Sequence, residues 1–195
     1  MVGTERRAGT TGDSLPSVGA VLDGEHGTYI GLFLRQRDSS LNRWPDRTDN
    51  PIRVWIEPTS QRGFSAIVQT AFGDWTGSGI PIRFVFVDAA RDAEIHVRWA
   101  DRLSKRTGNT IWRADDHGWL EGGDIVLARH LSGGHSLDGR SLRAIALHEI
   151  GHALGMAHSD DPHDVMAPLV RVSALSPADR ATARLLYAMP AGHLR

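Results

Sequence analysis

Apolar and polar positions change period several times along this chain, and each change marks an element. Ile30, Phe33, Leu34, Arg37, Leu41 and Trp44 follow helical spacing up to Pro45, which predicts a short amphipathic helix. In "PIRVWIEP", Ile52, Val54 and Ile56 alternate with Arg53, Trp55 and Glu57, the period of a strand. Phe64, Ile67, Val68, Ala71, Phe72 and Trp75 then form one stripe of a second helix, closed by Gly77 and Gly79. "PIRFVFV" and "AEIHVRWA" return to alternation. Residues 109–113 and 124–128 read as two further strands around a "DDHG" turn. Residues 141–154 are apolar around most of a helical circumference, as in a buried helix. The last element, "LSPADRATARLLYAM", carries its own start signals: Ser176 as N-cap, Pro177 at the first helical position and Asp179 three residues after the cap.

The opening order strand, helix, strand, strand predicts an α/β (α+β) fold, with a helix packed on a twisted, mostly parallel sheet. Residues 1–27 are rich in Gly, Ser and Thr without a sustained apolar period and read as a flexible tail. Residues 28–50 then form an amphipathic helix and linker, and 51–190 the main domain.

Composition narrows the function classes. The chain has 195 residues and a formal net charge of −1, so no global field recruits nucleic acid or an anionic membrane. Arginines 35, 37, 43 and 47 read as a solvated face. There is no cysteine, which excludes disulfides, thiolate metal ligands and a cysteine nucleophile. No apolar run reaches transmembrane length, and the first residues lack a signal-peptide core. The compartment and the oligomeric state stay open.

The chemistry lies in "HEIGHALGMAH" (148–158). His148 and His152 are four apart on one helix face and can chelate one ion, with Glu149 displaced beside them. Gly155 falls where the helix must stop for the chain to return His158 as third ligand. Three neutral imidazoles leave a fourth zinc position open, as a catalytic site requires. HExxH alone arises by chance in roughly one such chain in a hundred; adding the glycine and third histidine drops this below about one in ten thousand.

This stretch resembles the HExxHxxGxxH signature of the metzincin zinc peptidases. Ser159 directly after the third histidine, Met166 before Ala-Pro, and the closing "LSPADRATARLLY" are similar to the matrixin branch. The resemblance covers residues 51–187, strongly from Ala144 onward. It implies a metzincin-like fold: a mostly parallel sheet with an antiparallel edge strand, a packing helix, an active-site helix and a small C-terminal subdomain with one helix. The upper subdomain would be 51–155 and the lower 156–190. It implies one catalytic zinc ion on His148, His152 and His158, Glu149 as general base, and Met166 in a Met-turn beneath the metal. Asp179 would support that turn, or serve only as a capping-box acid. Peptide or protein substrates would run along Asn109, Thr110, Ile111 and Trp112 and meet a wall of Pro168, Leu169 and Val170. A secreted or cell-envelope location is favoured by the resemblance alone.

The sequence departs from the matrixin pattern in four places. With no cysteine in the sequence, a cysteine-switch pro-segment is not expected within these 195 residues. The loop that supplies a structural zinc and calcium in matrixins is not recognisable between Trp99 and Asp124. The usual Pro-x-Tyr wall is Pro168-Leu169-Val170, and the first acid of the closing helix is Ala178. His130, His135 and Asp138 could form a second cation site, but ordinary loop polarity is the better reading; a second structural cation is not supported. His96 reads as exposed, His117 as a turn residue and His163 as a loop residue. Two alternatives remain: a catalytically silent zinc domain acting as a peptide-binding or assembly module, and a peptidase silenced by residues 1–45, with Asp13, Asp23, Glu25 or His26 capping the metal.

Overall fold

The computed structural model describes residues 27–37, 40–104, 106–131 and 133–193. The flexible-tail reading and the four candidate metal-capping residues fall outside these, apart from Gly27. The elements in chain order are α1 (Ile30–Gln36), β1 (Ser40–Leu41), β2 (Arg47–Ile56), α2 (Phe64–Thr76), β3 (Ile82–Phe86), β4 (Ile95–Ala100), β5 (Gly108–Ala114), β6 (Leu120–Ala128), α3 (Gly139–Ala153), α4 (Pro177–Ala188) and β7 (Gly192–His193). A single 3-10 turn, Ala90–Asp92, precedes β4.

The main sheet has the order β3-β2-β4-β6-β5. β2 pairs parallel with β3 and β4, and β4 parallel with β6; β5 closes the edge antiparallel to β6. The mostly parallel sheet with one antiparallel edge strand is the expected α/β arrangement. Ile52 and Val54 on β2, Ile95 and Val97 on β4, and Ile125 and Leu127 on β6 point into one core, following the two-residue period of the strands. α2 lays Val68, Ala71, Phe72 and Trp75 against that core and against α3. The Trp75 indole donates from Nε1 to Leu147 O at 2.9 Å, pinning α2 to the middle of α3. α3 in turn lies on β5 and β6, which brings it beside the sheet edge.

The N-terminal region departs from the helical expectation. α1 ends at Gln36, and Leu41 and Trp44 are buried in extended chain. Leu41 sits in β1, a two-residue strand paired antiparallel with β7. Trp44 is buried because its Nε1 donates to Ala153 O at 2.9 Å, capping a carbonyl at the end of α3. Periodic burial over residues 30–44 therefore reports docking onto the C-terminal half, not one continuous helix.

The arginines nearby are not a solvated face. Arg43 stacks over Trp119 and donates to Met189 O, Arg47 pairs with the carboxylate of Glu94, and Arg37 lies over Trp112. Of the four, Arg35 alone is exposed. His96 is also half-buried, because its Nε2 is 2.8 Å from Ala90 O and its ring packs edge-on to Trp55. Among the described residues no helix is long and apolar enough to cross a membrane.

Candidate active site

α3 carries the first half of the site, and its start is set locally. Asp138 accepts Ser141 N–H at 2.7 Å, so this carboxylate is an N-cap. The helix runs to Ala153, and Gly155 then turns the chain with φ +94. A side chain is excluded there twice over: the positive φ disfavours any L residue, and a Cβ would collide with the carbonyl oxygen of Asn42. The N-terminal segment is thus pressed directly against the turn that returns His158.

His148, His152 and His158 come together with ring nitrogens close enough to share one ion. His152 Nε2 is 3.0 Å from His148 Nε2 and 3.2 Å from His158 Nε2. The other ring nitrogens of the two helical histidines are engaged: His148 Nδ1 lies 2.8 Å from Val165 O, and His152 Nδ1 3.0 Å from Met156 O. A ring nitrogen facing a carbonyl must carry the proton, which leaves Nε2 as a lone pair on both. The two Nε2 lone pairs on α3, 3.0 Å apart, repel unless a cation lies between them, so the arrangement fits a metal ion. Burial lowers the pKa of His152 to about 3, helped by His148, and burial likewise lowers His148 and His158.

Glu149 is buried, lines the same cleft as the three histidines and reaches β5. Thr110 Oγ1 lies 2.7 Å from Glu149 Oε2 and 2.9 Å from Glu149 O, and its one proton can serve either. Gly108 makes room for the same side chain, since a Cβ there would lie 2.5 Å from Glu149 Oε1 and 2.8 Å from Cδ. Burial pushes the Glu149 carboxyl up to about 7, against the lowering effects of the Thr110 hydroxyl and the Arg106 charge. Thr110 reads from the sequence as a substrate contact; the structure places its hydroxyl on Glu149. Nothing local marks this pairing, because the two residues are 39 apart and meet only when α3 lies on β5.

Beneath the histidines, Met166 is fully buried and packs tightly on Gly151. Its backbone N–H and that of Val165 point at Asp179, at 3.4 and 2.9 Å. The same carboxylate accepts Ser176 N–H at 2.8 Å while Ser176 Oγ accepts Asp179 N–H at 2.9 Å, completing a capping box. The two readings of Asp179 are therefore one arrangement. A fourth partner is Tyr29, whose hydroxyl donates to Asp179 Oδ1 at 2.7 Å. Burial and the Asp179 charge both raise the Tyr29 pKa, so it stays a donor. Asp164 extends the network by accepting from Ser159 Oγ at 2.5 Å and Ser176 Oγ at 2.6 Å.

The site opens into a cleft of about 850 Å³. Asn109, Thr110 and Trp112 line it on the β5 side, and Pro168, Leu169 and Val170 on the other. Ile111 is not part of the lining; it is 64% exposed on β5. His130 and His135 do not join Asp138 in a metal cluster, and the three-histidine group is the sole such cluster among the described residues. His117 and His163 are exposed and accompany Asp115 and Asp161 in their turns.

A mostly parallel sheet with an antiparallel edge, a helix packed on it bearing two imidazoles, and a glycine turn returning a third define a metzincin-type domain. The family comparison is more specific. Residues 51–188 match the Matrixin family model, and the chain belongs to the matrixins. It is similar to a "Probable matrix metalloproteinase 095L" of Invertebrate iridescent virus 3, 32% identical over 141 residues, covering 66% of this chain and 35% of that protein. It is also similar to "Matrix metalloproteinase-C" of Caenorhabditis elegans, 28% identical over 149 residues, covering 67% of this chain and 24% of that one. A shorter stretch of 31 residues is 58% identical to human "Matrix metalloproteinase-16", covering 16% and 5%. The chain thus spans about a third or less of the relatives' own lengths.

Proposed function

We propose that this chain is a zinc-dependent endopeptidase with Glu149 as general base. The observation that carries the reading is the convergence of three imidazole Nε2 atoms in a cleft that the buried Glu149 carboxylate also lines. His148, His152 and His158 would hold the ion, and zinc there would supply Lewis acidity toward water and the scissile carbonyl. A peptide strand adds to the free edge of β5, whose one sheet neighbour is β6, so that main-chain hydrogen bonds hold it along the cleft. Glu149 removes a proton from the attacking water and delivers it to the leaving amine as the C–N bond breaks. Thr110 and Gly108 hold that carboxylate in one orientation, and Met166 with Asp179 supports the floor under the histidines.

The deciding experiment is Glu149→Ala assayed on a mixed peptide library by mass spectrometry. The variant is expected to keep the fold and one bound zinc and to lose nearly all hydrolysis. Undiminished hydrolysis would remove Glu149 from its role. A wild-type protein that holds zinc yet cleaves no peptide would instead support the catalytically silent peptide-binding module.

A further inference from the structure

The cleft is charged in one sense. Arg106, Arg140 and Arg171 all line it, and among the described residues the only acid in its lining is Glu149. This asymmetry is local, since the whole chain carries a formal net charge of −1. None of the three arginines forms an ion pair with a described acid, whereas Arg113, Arg129 and Arg143 pair with Asp124, Asp101 and Asp74. Arg106 has one polar partner, the neutral side chain of Asn109 at 3.2 Å. The carboxylate of Asp138, two residues before Arg140, is turned onto Ser141 N–H as a helix cap and lies outside the lining.

The position of Arg140 adds an independent argument. It stands in the first turn of α3, where the helix dipole disfavours a cation and an acid would stabilise. Its charge is the weakest of the influences on the Asp138 carboxylate, and the exposed side chain lines the cleft. Leu137, Ile145 and Val170 add aliphatic lining to the same cleft. This combination suits a peptide that carries negative charge.

We infer that the cleft selects acidic peptides, whose carboxylates are read by Arg140 and Arg171. The inference rests on the endopeptidase reading above, which places the substrate in this cleft. Coulomb attraction at an exposed rim is screened by salt, so the selectivity is salt-dependent.

The test uses three peptides that share the cleaved bond and its adjoining residues and differ only in the residue pair placed on both sides of them: Asp-Glu, Ser-Gln or Lys-Arg. At about 0.05 M salt, where screening is weak, kcat/KM should fall in that order, with at least about tenfold between the acidic and basic peptides. At about 0.5 M salt the spread should shrink severalfold. Arg140→Glu combined with Arg171→Glu should reverse the order. The Arg140→Gln, Arg171→Gln pair should flatten it and provides a second variant should the first misfold. The ordering should also appear in the Kd of the zinc-loaded Glu149→Ala protein for the same peptides, measured by fluorescence anisotropy. Equal kcat/KM for the three peptides, or an order untouched by either double variant, overturns the inference and leaves the peptidase reading intact. Charge-ordered binding without cleavage by the wild-type protein supports the inference and removes the peptidase reading.

Discussion

Thr110 Oγ1 sits 2.7 Å from Glu149 Oε2, tying the edge strand of the sheet to the carboxylate of the helix beneath it. A hydrogen bond to a carboxylate is worth more in orientation than in stability when its donor is at a cleft wall. Thr110→Val keeps the shape of the side chain and removes the donor. The expected result is a loss of about tenfold in kcat with a smaller change in KM. Thr110→Ser should recover most of it. Steady-state kinetics on one peptide decides; a Val variant as active as wild type would show that the hydroxyl has no positioning role.

Gly108→Ala tests the same carboxylate from the other side. A Cβ at this position lies 2.5 Å from Glu149 Oε1, and the flexible end of the glutamate is what must move. Activity should therefore drop by an order of magnitude or more, while the melting temperature shifts by only a few degrees. A large loss of stability with intact turnover would contradict this assignment of the clash.

The Tyr29–Asp179 bond should matter for stability. Tyr29→Phe removes a buried donor to a carboxylate that keeps its three backbone partners, Val165, Met166 and Ser176. A cost of about 1–3 kcal/mol is expected, lowering the melting temperature by roughly 2–10 °C. Thermal unfolding followed by circular dichroism measures it directly.

Deletion through residue 45 should abolish folded protein instead of releasing activity. It removes Tyr29 from Asp179, Trp44 from Ala153 O, Arg43 from Met189 O and the β1 partner of β7. Deletion of residues 1–26 alone leaves all of these in place. Comparing hydrolysis and melting of the two truncations separates the strut from any silencing segment: a fully active protein lacking residues 1–45 would refute the strut.

Chelation should remove hydrolysis, with recovery on adding zinc back. It should also lower the melting temperature by several degrees, because an ion bound only by the folded state stabilises it in proportion to the logarithm of its concentration over Kd. His158→Ala should show a much smaller melting shift on chelation than wild type.

Much of the sheet was legible because each strand declares itself by a two-residue period, as in Ile52, Val54 and Ile56. The closing helix was equally plain, since Ser176, Pro177 and Asp179 lie within one turn and act on one another. Leu41 and Trp44 misled the reading of the N-terminal region. Their spacing fits a helix, but their burial comes from β7 and from the end of α3, more than a hundred residues away. Arg43 and Arg47 misled it for the same reason, because aromatic faces and Glu94 reach them only in the folded chain.

The sequence by itself determined the strands of the main sheet, the three longer helices and the candidate ligand set. His148, His152, Gly155 and His158 span eleven residues, so helical spacing and one left-handed glycine dictate their relation without reference to the rest of the chain. Only the tertiary structure decided what surrounds that set: Thr110 and Gly108 on Glu149, Asn42 against Gly155, Tyr29 on Asp179, and three unpaired arginines around the cleft. The physical reason is range. Periodicity and capping act over one or two turns, whereas these contacts join segments up to 150 residues apart and exist only once the sheet edge and the helix have packed.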